Sequence, residues 1–319
     1  MWWILPLAVI FLLGSGLVVM LIKTVPISKK VYRDQLVKTE PEKWGRVCSC
    51  PENEEQQAMW DEGCLWAEKR ADKKQDVHIV NDGLNLYGEY YNFSDSKRCV
   101  IILPGRCECL KYSYYFAPAY EESGYNVLVI DSRAHGNSDG IYNTVGVGES
   151  RDVIAWVKFI EEKYGIEQVY MHTICVGTAS AILALTSKDC PESVKGLVTE
   201  GCFVSFRETF KRHMIEDKRP LFPVLDLVML QIWINTKTNV YKTAPIKLIG
   251  KIKQRVLFLY GEKDVFSIPE KSRLLFAKCK SADKKVVWFD KGGHSHLRIN
   301  NKEKYDNAIK DFLGGKGTL

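Results

Sequence analysis

Short apolar runs alternate with amphipathic runs along most of the chain. The apolar runs have the length of strands and are rich in Val, Ile, Leu and Tyr; they cover residues 98–105 (which end in a loop), 125–131, 167–174, 195–200, 255–260 and 285–290. The amphipathic runs predict helices at residues 54–74, 112–123, 151–164, 178–185, 270–279 and 302–313. Apolar strands that alternate with helices predict an α/β protein whose mostly parallel sheet carries helices on both faces.

A hairpin is predicted before this alternating region. Residues 76–80 and 84–91 have strand character, and Asn81-Asp82-Gly83 separates them. Asn and Gly accept the positive φ angles that a tight hairpin turn requires. The first two strands should therefore pair antiparallel.

The first 22 residues have a different pattern. Trp2 to Ile22 carries no charge and is long enough to span a bilayer. A cleaved signal peptide is the alternative, but no basic residue precedes the run and no convincing cleavage site follows it. Several Lys and Arg residues come after Ile22, which favours a single-pass membrane anchor with the rest of the chain in the cytoplasm.

Residues 23–50 contain Pro26, Pro41 and scattered charges, and they predict a linker. Residues 51–319 are then one folded domain. An apolar and aromatic stretch at about residues 203–247 interrupts the alternation of strands and helices, and it predicts a long insertion.

Composition excludes some functions. The 319 residues carry a net charge of only +6, and no basic run is interleaved with aromatic residues, so we expect no nucleic-acid partner. The ten cysteines show no paired C-x-x-C spacing, which argues for reduced thiols rather than a zinc site or a disulfide framework. We expect neither a metal nor a cofactor.

A cysteine stands where a strand turns sharply into a helix. Thr173-Ile174-Cys175-Val176-Gly177 resembles the Gly-x-Ser-x-Gly nucleophile elbow of the α/β-hydrolase fold. Cys175 replaces the usual Ser, as in dienelactone hydrolases, and Thr173 replaces the first Gly. The alternative is a buried structural Cys, because free Cys is often buried.

Two further loops carry the same resemblance. Leu103-Pro104-Gly105-Arg106 resembles the oxyanion loop of the family, which implies that the backbone N–H groups of Arg106 and Val176 stabilise the oxyanion. Residues 131–140 resemble the family's Asp-x-Arg-Gly-His-Gly-x-Ser loop. That loop is mainly architectural in the family, so His135 is not expected to be catalytic.

The remaining triad members follow two later strands. Gly261-Glu-Lys-Asp264 resembles the loop that bears the acid, and Gly292-Gly-His294-Ser-His296 resembles the loop that bears the base. The order Cys175, Asp264, His294 is the nucleophile, acid, base order of the fold. His296 is the rival base and Glu200 the rival acid. His172 lies within a strand and is expected to be packed.

The resemblance covers about residues 75–315 and is closest to membrane-anchored or secreted bacterial-type hydrolases of the serine-aminopeptidase and esterase-like group. It implies an acyl hydrolase that cleaves an ester, thioester or amide of a small-molecule or lipid-like substrate through a Cys-His-Asp triad. Acyl transfer is a variant, and a catalytically weak, membrane-tethered binding protein is the alternative. The insertion at about residues 203–247 is similar to the helical cap of that group, and its apolar residues suit an acyl pocket, but they would equally serve to pack the cap.

Cys107 and Cys109 directly follow the oxyanion loop. Mild oxidation is predicted to inhibit the enzyme reversibly, through sulfenylation of Cys175 or a disulfide between Cys175 and one of these thiols. The alternative is that both are small loop residues without a redox role.

Overall fold

The computed structural model describes residues 4–45, 48 and 53–314. Within them, one eight-stranded sheet has the order β1-β2-β4-β3-β5-β6-β7-β8. The strands are β1 (Lys74–Asn81), β2 (Leu84–Tyr91), β3 (Arg98–Leu103), β4 (Asn126–Ile130), β5 (Gln168–Ile174), β6 (Val194–Glu200), β7 (Arg255–Gly261) and β8 (Lys284–Phe289). Strand β2 pairs antiparallel with β1 and β4, and all other pairs are parallel, so the predicted mostly parallel sheet is confirmed.

Helices cover both faces of this sheet, as predicted. They are α1 (Ile4–Leu36), α2 (Glu54–Glu68), α3 (Pro118–Glu122), α4 (Val147–Tyr164), α5 (Val176–Leu185), α6 (Phe206–Glu216), α7 (Val224–Thr236), α8 (Pro245–Leu248), α9 (Pro269–Lys278), α10 (Leu297–Asn300) and α11 (Lys302–Leu313). Short 3₁₀ turns lie at 71–73, 110–116 and 249–251.

The core has two apolar layers, one on each face of the sheet. Alternate residues of β3 point into different layers: Val100 and Ile102 pack with helix α11, whereas Ile101 and Leu103 pack with helices α4 and α5. Side chains alternate in this way because successive residues of a strand face opposite sides. Since both faces are covered there, the central strands β3, β4 and β7 are buried over nearly their whole length, whereas the edge strand β1 is mostly exposed or half-buried.

Two local predictions differ from the structure. The helix expected at 112–123 is a 3₁₀ turn followed by α3, because Pro118 has no N–H for a continuing helix and instead begins a new one. The hairpin turn is present, but its positive φ angles fall on Asp82 and Gly83 rather than on Asn81.

The N-terminal part of the chain departs most from the prediction. Among the described residues, none of the helices is both long and apolar enough to traverse a bilayer. The span expected at residues 2–22 is therefore not confirmed, and residues 1–3 lie outside the described part of the chain. Helix α1 also continues to Leu36, so residues 23–36 are helical where a linker was expected.

Packing explains why the expected linker is ordered. Val31, Tyr32 and Leu36 are buried in the same apolar cluster as the cap helices, and the Ser28 hydroxyl accepts a hydrogen bond from the Gln231 amide in α7 at 2.9 Å. Residues 37–45 continue this contact over the loop after β4. There the Trp44 ring stacks on His135, with 4.6 Å between ring centroids. We call residues 23–45 the N-terminal segment; the rest of the expected linker, apart from residue 48, lies outside the described residues.

The cap consists of helices α6, α7 and α8, which occupy the predicted insertion. Its inward-facing side chains are apolar and buried: Phe206, Phe210, Met214, Leu225, Val228, Met229 and Ile232. They share one cluster with Cys175 and Val176. The cap and the N-terminal segment therefore both lie over the carboxyl end of β5.

Candidate active site

The expected nucleophile lies in a strained turn. Strand β5 ends at Ile174, helix α5 begins at Val176, and Cys175 between them has φ 49° and ψ −112°. A non-glycine residue in such a conformation costs about 1–3 kcal/mol, which the surrounding fold must offset. The N–H of Cys175 donates to the carbonyl of Glu200 at 3.0 Å, and this bond holds the turn against the end of β6.

The residues on either side of Cys175 explain how the turn fits. A Cβ on Gly177 would lie 2.7 Å from the carbonyl oxygen of Leu103, so a residue without a side chain is required there. Thr173 stands where the family has its first glycine. Its hydroxyl is bonded to the Thr178 hydroxyl at 3.0 Å, and Thr178 is bonded to Thr199 at 2.9 Å. These buried threonines accommodate the extra side chain by satisfying its oxygen.

The expected acid and base are brought together. Oδ2 of Asp264 lies 2.8 Å from Nδ1 of His294. The other oxygen, Oδ1, accepts the N–H groups of Phe266 at 2.8 Å and Ser267 at 2.7 Å. Burial alone would raise the pKa of Asp264, but the His294 charge and these bonds outweigh it and lower the pKa. Asp264 is thus a fixed, ionised acceptor for the imidazole.

The other ring nitrogen of His294, Nε2, is available for proton transfer. Nε2 is buried and has no hydrogen-bond partner within the described residues. Burial lowers the pKa of His294, whereas the charge of Asp264 and then that of Cys175 raise it, and the net pKa lies well above the ordinary value. The ring of His294 lies against Gly201, and the preceding residue Glu200 accepts the N–H of Cys175, so the imidazole and the thiol lie at the same end of β6. An imidazole with a raised pKa can hold a proton taken from a neighbouring thiol.

The two expected oxyanion donors come from different loops: Arg106 from the loop after β3, and Val176 from the position directly after the nucleophile. Among the described residues, the N–H groups of Arg106 and Val176 donate no hydrogen bond to another protein group. Val176 is the first residue of α5, where the helix dipole favours negative charge. The Arg106 side chain is anchored elsewhere, since its Nη1 donates to Oε1 of Gln35 at 2.7 Å.

The rival acid and base are occupied by other contacts. Oε1 of Glu200 accepts the N–H of Leu297 at 3.1 Å, and Oε2 accepts the Tyr305 hydroxyl at 2.6 Å. Burial raises the pKa of Glu200 to about 7. Nδ1 of His296 lies 3.3 Å from Glu55 on helix α2. In this structure neither rival has a hydrogen bond to the partner that it would need in a triad.

The other two histidines expected to be structural are packed. Nδ1 of His135 lies 2.9 Å from the carbonyl oxygen of Arg133, and the ring of His135 stacks on Trp44. His172 lies between the hydroxyls of Tyr120 and Tyr305. Burial lowers the pKa of His172 to about 3, so its ring is neutral at physiological pH.

The two cysteines after the oxyanion loop have different surroundings. Burial raises the pKa of the Cys107 thiol; the charges of Glu108 and Cys175 also raise it, and that of Arg106 opposes them. Burial and the Asp131 charge raise the pKa of Cys109 to about 12. Of the two, only Cys107 has its pKa affected by Cys175.

Sequence reasoning missed one carboxylate in this region. Oε2 of Glu108 accepts the N–H of Gly105 at 2.7 Å, within the oxyanion loop. Burial raises the pKa of Glu108, while the Gly105 bond and the His294 charge lower it. No motif in the sequence marks Glu108, because its role depends on the path of the loop. Within the described part of the chain, no group of three or more His, Cys, Asp or Glu side chains could hold a metal ion.

Comparison with known proteins gives the same fold. A family model described as "alpha/beta hydrolase fold" matches residues 98–214. The uncharacterized protein YqkD of Bacillus subtilis is 23% identical over 233 residues, which cover 72% of this chain and 76% of YqkD. The uncharacterized membrane protein YNL320W of Saccharomyces cerevisiae is 26% identical over 203 residues, which cover 63% of this chain and 64% of the yeast protein.

A solved structure extends the likeness over most of the domain. The esterase Pf2001 of Pyrococcus furiosus superposes with a TM-score of 0.64 at 22% identity, and the match covers 78% of this chain and 93% of the esterase. Together with the sheet order and the elbow, these matches show that the chain has the α/β-hydrolase fold.

Proposed function

We propose that this protein is an acyl hydrolase that forms a covalent acyl-enzyme on Cys175. The observation that carries the proposal is the 2.8 Å hydrogen bond between Asp264 and Nδ1 of His294, which leaves Nε2 buried and without a partner among the described residues. A nucleophile, a base and a group that orients the base are the parts that covalent catalysis requires.

The mechanism follows from these roles. Nε2 of His294 takes the proton of the Cys175 thiol, and the sulfur attacks the acyl carbonyl. The carbonyl oxygen becomes an oxyanion, which the N–H groups of Arg106 and Val176 stabilise; two such donors in a dry site lower the barrier by about 3 kcal/mol each. His294 then protonates the leaving group, and water, activated by the same imidazole, releases the acid and restores the thiol.

A small or lipid-like acyl substrate fits the surroundings of Cys175. The cap residues that share its cluster are apolar, among them Phe203, Phe206, Phe210 and Met229. An acyl chain bound among such side chains would gain roughly 0.8 kcal/mol for each buried methylene group. This preference can be measured with a series of p-nitrophenyl esters of increasing chain length, for which kcat/KM should rise from acetate to hexanoate.

Attachment to a membrane is part of the proposal. Phe11, Leu13, Leu17 and Ile22 of helix α1 are exposed apolar side chains. The yeast relative YNL320W is named as a membrane protein. We propose that the N-terminal half of α1 binds the membrane and that the hydrolase domain lies on the cytoplasmic side. Carbonate extraction would detect the attachment, and digestion of the domain by protease added outside intact cells would overturn the orientation.

Trapping the acyl-enzyme tests the chemistry. Incubation with p-nitrophenyl butyrate should leave a butyryl adduct on the peptide that contains Cys175. Cys175→Ala should abolish the adduct and the turnover, and Cys175→Ser should retain some activity because the same base can serve a hydroxyl. Cys190→Ala is the matched control, because this half-buried thiol lies outside the site. Full activity of Cys175→Ala would overturn Cys175 as the nucleophile, whereas a parent without adduct or turnover on every ester, thioester and amide tested would favour a binding protein instead.

A further inference from the structure

The dipeptide Glu200-Gly201, at the end of β6, touches all three loops of the proposed triad. The carbonyl of Glu200 accepts the N–H of Cys175 at 3.0 Å, and its carboxylate accepts the N–H of Leu297, directly after the His294 loop, at 3.1 Å. The carbonyl of Gly201 accepts the Ser267 hydroxyl at 2.7 Å, and the N–H of Ser267 in turn binds Asp264.

Gly201 also sets the distance between the sheet and the imidazole. Its φ is 65°, and a Cβ added to it would lie 2.8 Å from Cε1 of His294. No real Cβ contact is that short, so any side chain at this position would push the ring away. The ring of His294 therefore rests directly against the backbone of Gly201.

A chain of buried hydrogen bonds fixes the carboxylate of Glu200. The Tyr120 hydroxyl lies 2.8 Å from Nδ1 of His172, Nε2 of His172 lies 3.3 Å from the Tyr305 hydroxyl, and Tyr305 donates to Glu200 at 2.6 Å. Each donor has an acceptor if His172 is neutral with its proton on Nε2. These side chains are at most 1% exposed, so breaking the chain would leave a polar group unsatisfied.

From these contacts we propose that Glu200 and Gly201 form a positioning unit that sets the geometry between Cys175, Asp264 and His294. The unit does not contact the substrate; it holds the turn of the nucleophile and the loop of the base at a fixed separation. Proton transfer is sensitive to such separation, and a misplacement of about 1 Å can cost about 100-fold in rate. The inference rests on the proposed function for its effect on rate, but its effect on the imidazole is independent of turnover.

A second carboxylate–tyrosine pair provides the controls. The Tyr114 hydroxyl donates to Glu89 at 2.6 Å, and both side chains are buried, as in the Tyr305–Glu200 pair. Glu89 lies in β2. Strands β4, β3 and β5 lie between β2 and β6, so this pair is remote from Glu200. Gly165 has the same left-handed backbone conformation as Gly201, with a φ of 63°, so an alanine would be strained at both positions. A Cβ on Gly165, however, would meet nothing within 4 Å.

The experiment compares three pairs of variants of the full chain: Glu200→Gln with Glu89→Gln, Tyr305→Phe with Tyr114→Phe, and Gly201→Ala with Gly165→Ala. The first readout is the downfield NMR resonance of the His294 Nδ1 proton, assigned by its loss in His294→Ala. It should shift or broaden in the first member of each pair and stay in place in the second. For p-nitrophenyl butyrate, Glu200→Gln and Gly201→Ala should lower kcat by about tenfold or more with KM little changed.

The outcomes separate this inference from the proposed function. A parent-like resonance and rate in Glu200→Gln and Gly201→Ala would overturn the positioning role, and so would equal losses in both members of each pair. Should Glu200→Gln not fold, Tyr305→Phe removes a single oxygen and decides the question, with an expected loss of about fivefold in kcat. Absence of a Cys175 adduct in the parent would overturn the proposed function, while the resonance would still test the positioning unit.

Discussion

The loops of the proposed triad and the N-terminal segment lie over the same edge of the sheet, yet they are held in different ways. Each triad loop follows a strand of the sheet, and Glu200 and Gly201 at the end of β6 bond the loops to one another. The N-terminal segment is held by contacts with residues far along the chain, such as Gln35 with Arg106 and Ser28 with Gln231. The first region should therefore determine chemistry and the second should determine stability.

Removing the base should have the largest effect. His294→Ala removes the group that activates Cys175 and protonates the leaving group, and kcat/KM for p-nitrophenyl butyrate should fall about 1,000-fold, or about 4 kcal/mol. The melting temperature should change little. Asp264→Asn should impair the enzyme less, by leaving the imidazole wrongly oriented.

His296→Ala provides the control for that variant, since its ring pairs with the partly exposed Glu55 and not with Asp264. It should keep nearly the full rate. A severe loss in His296→Ala with a mild loss in His294→Ala would reverse the assignment of the base.

Shortening a buried side chain of the N-terminal segment should lower the stability of the protein rather than its rate. Leu36 is fully buried beside the cap, so Leu36→Ala should lower the free energy of unfolding by about 3 kcal/mol, as measured by urea denaturation. The rate per folded molecule should remain close to that of the parent. Leu65→Ala, on an exposed position of α2, should change the free energy of unfolding by no more than about 0.5 kcal/mol. A loss of kcat in Leu36→Ala without a loss of stability would contradict the division between the two regions.

One contact joins the regions, and Gln35→Ala tests it. The substitution removes the 2.7 Å hydrogen bond to the Arg106 side chain but keeps the backbone carbonyl of residue 35, which accepts from the same guanidinium at 3.2 Å. We expect kcat to fall by about threefold, because the oxyanion loop becomes less fixed; this corresponds to one hydrogen bond of modest strength. Gln57→Ala, which loses only an exposed bond to Asp61, should leave kcat unchanged.

The smallest effect is expected at the cysteines of the oxyanion loop. Hydrogen peroxide should convert the Cys175 thiol to a sulfenic acid and water, and the Cys107 thiol can then displace a second water to form a disulfide; dithiothreitol reverses both. Cys107→Ala should make the inhibition depend on sulfenylation alone, whereas Cys109→Ala should behave as the parent. If the Cys107→Ala, Cys109→Ala double variant loses and regains activity as the parent does, the pair has no part in the response.

The contrast between the regions also explains what the sequence could predict. The strands, the elbow at Cys175 and the loops of Asp264 and His294 are visible because apolar runs and short motifs mark them locally. The assignment of the base and acid over His296 and Glu200 rested on the order and likeness of the loops, and the structure adds the contacts that occupy the rivals.

The parts that could not be predicted depend on distant contacts. Residues 23–45 predict a linker because they carry prolines and scattered charges; their order comes from packing on the cap and on the loop of His135. Glu108 and the Tyr305–Glu200 pair carry no sequence signal for the same reason. Their side chains acquire a role only when separate loops meet.

The N-terminal segment is joined to α7 by the hydrogen bond between Ser28 and Gln231. Its packing there has a practical consequence for shortened forms of the protein. A chain cut after the apolar run at Ile22 would keep Val31, Tyr32 and Leu36, whereas a chain that starts at the first residue of α2 would lose all three. The shorter form would leave an apolar groove along α7 open to water, and such surfaces promote aggregation. Preparations for crystallisation or assay should therefore retain the chain from Lys23 onward.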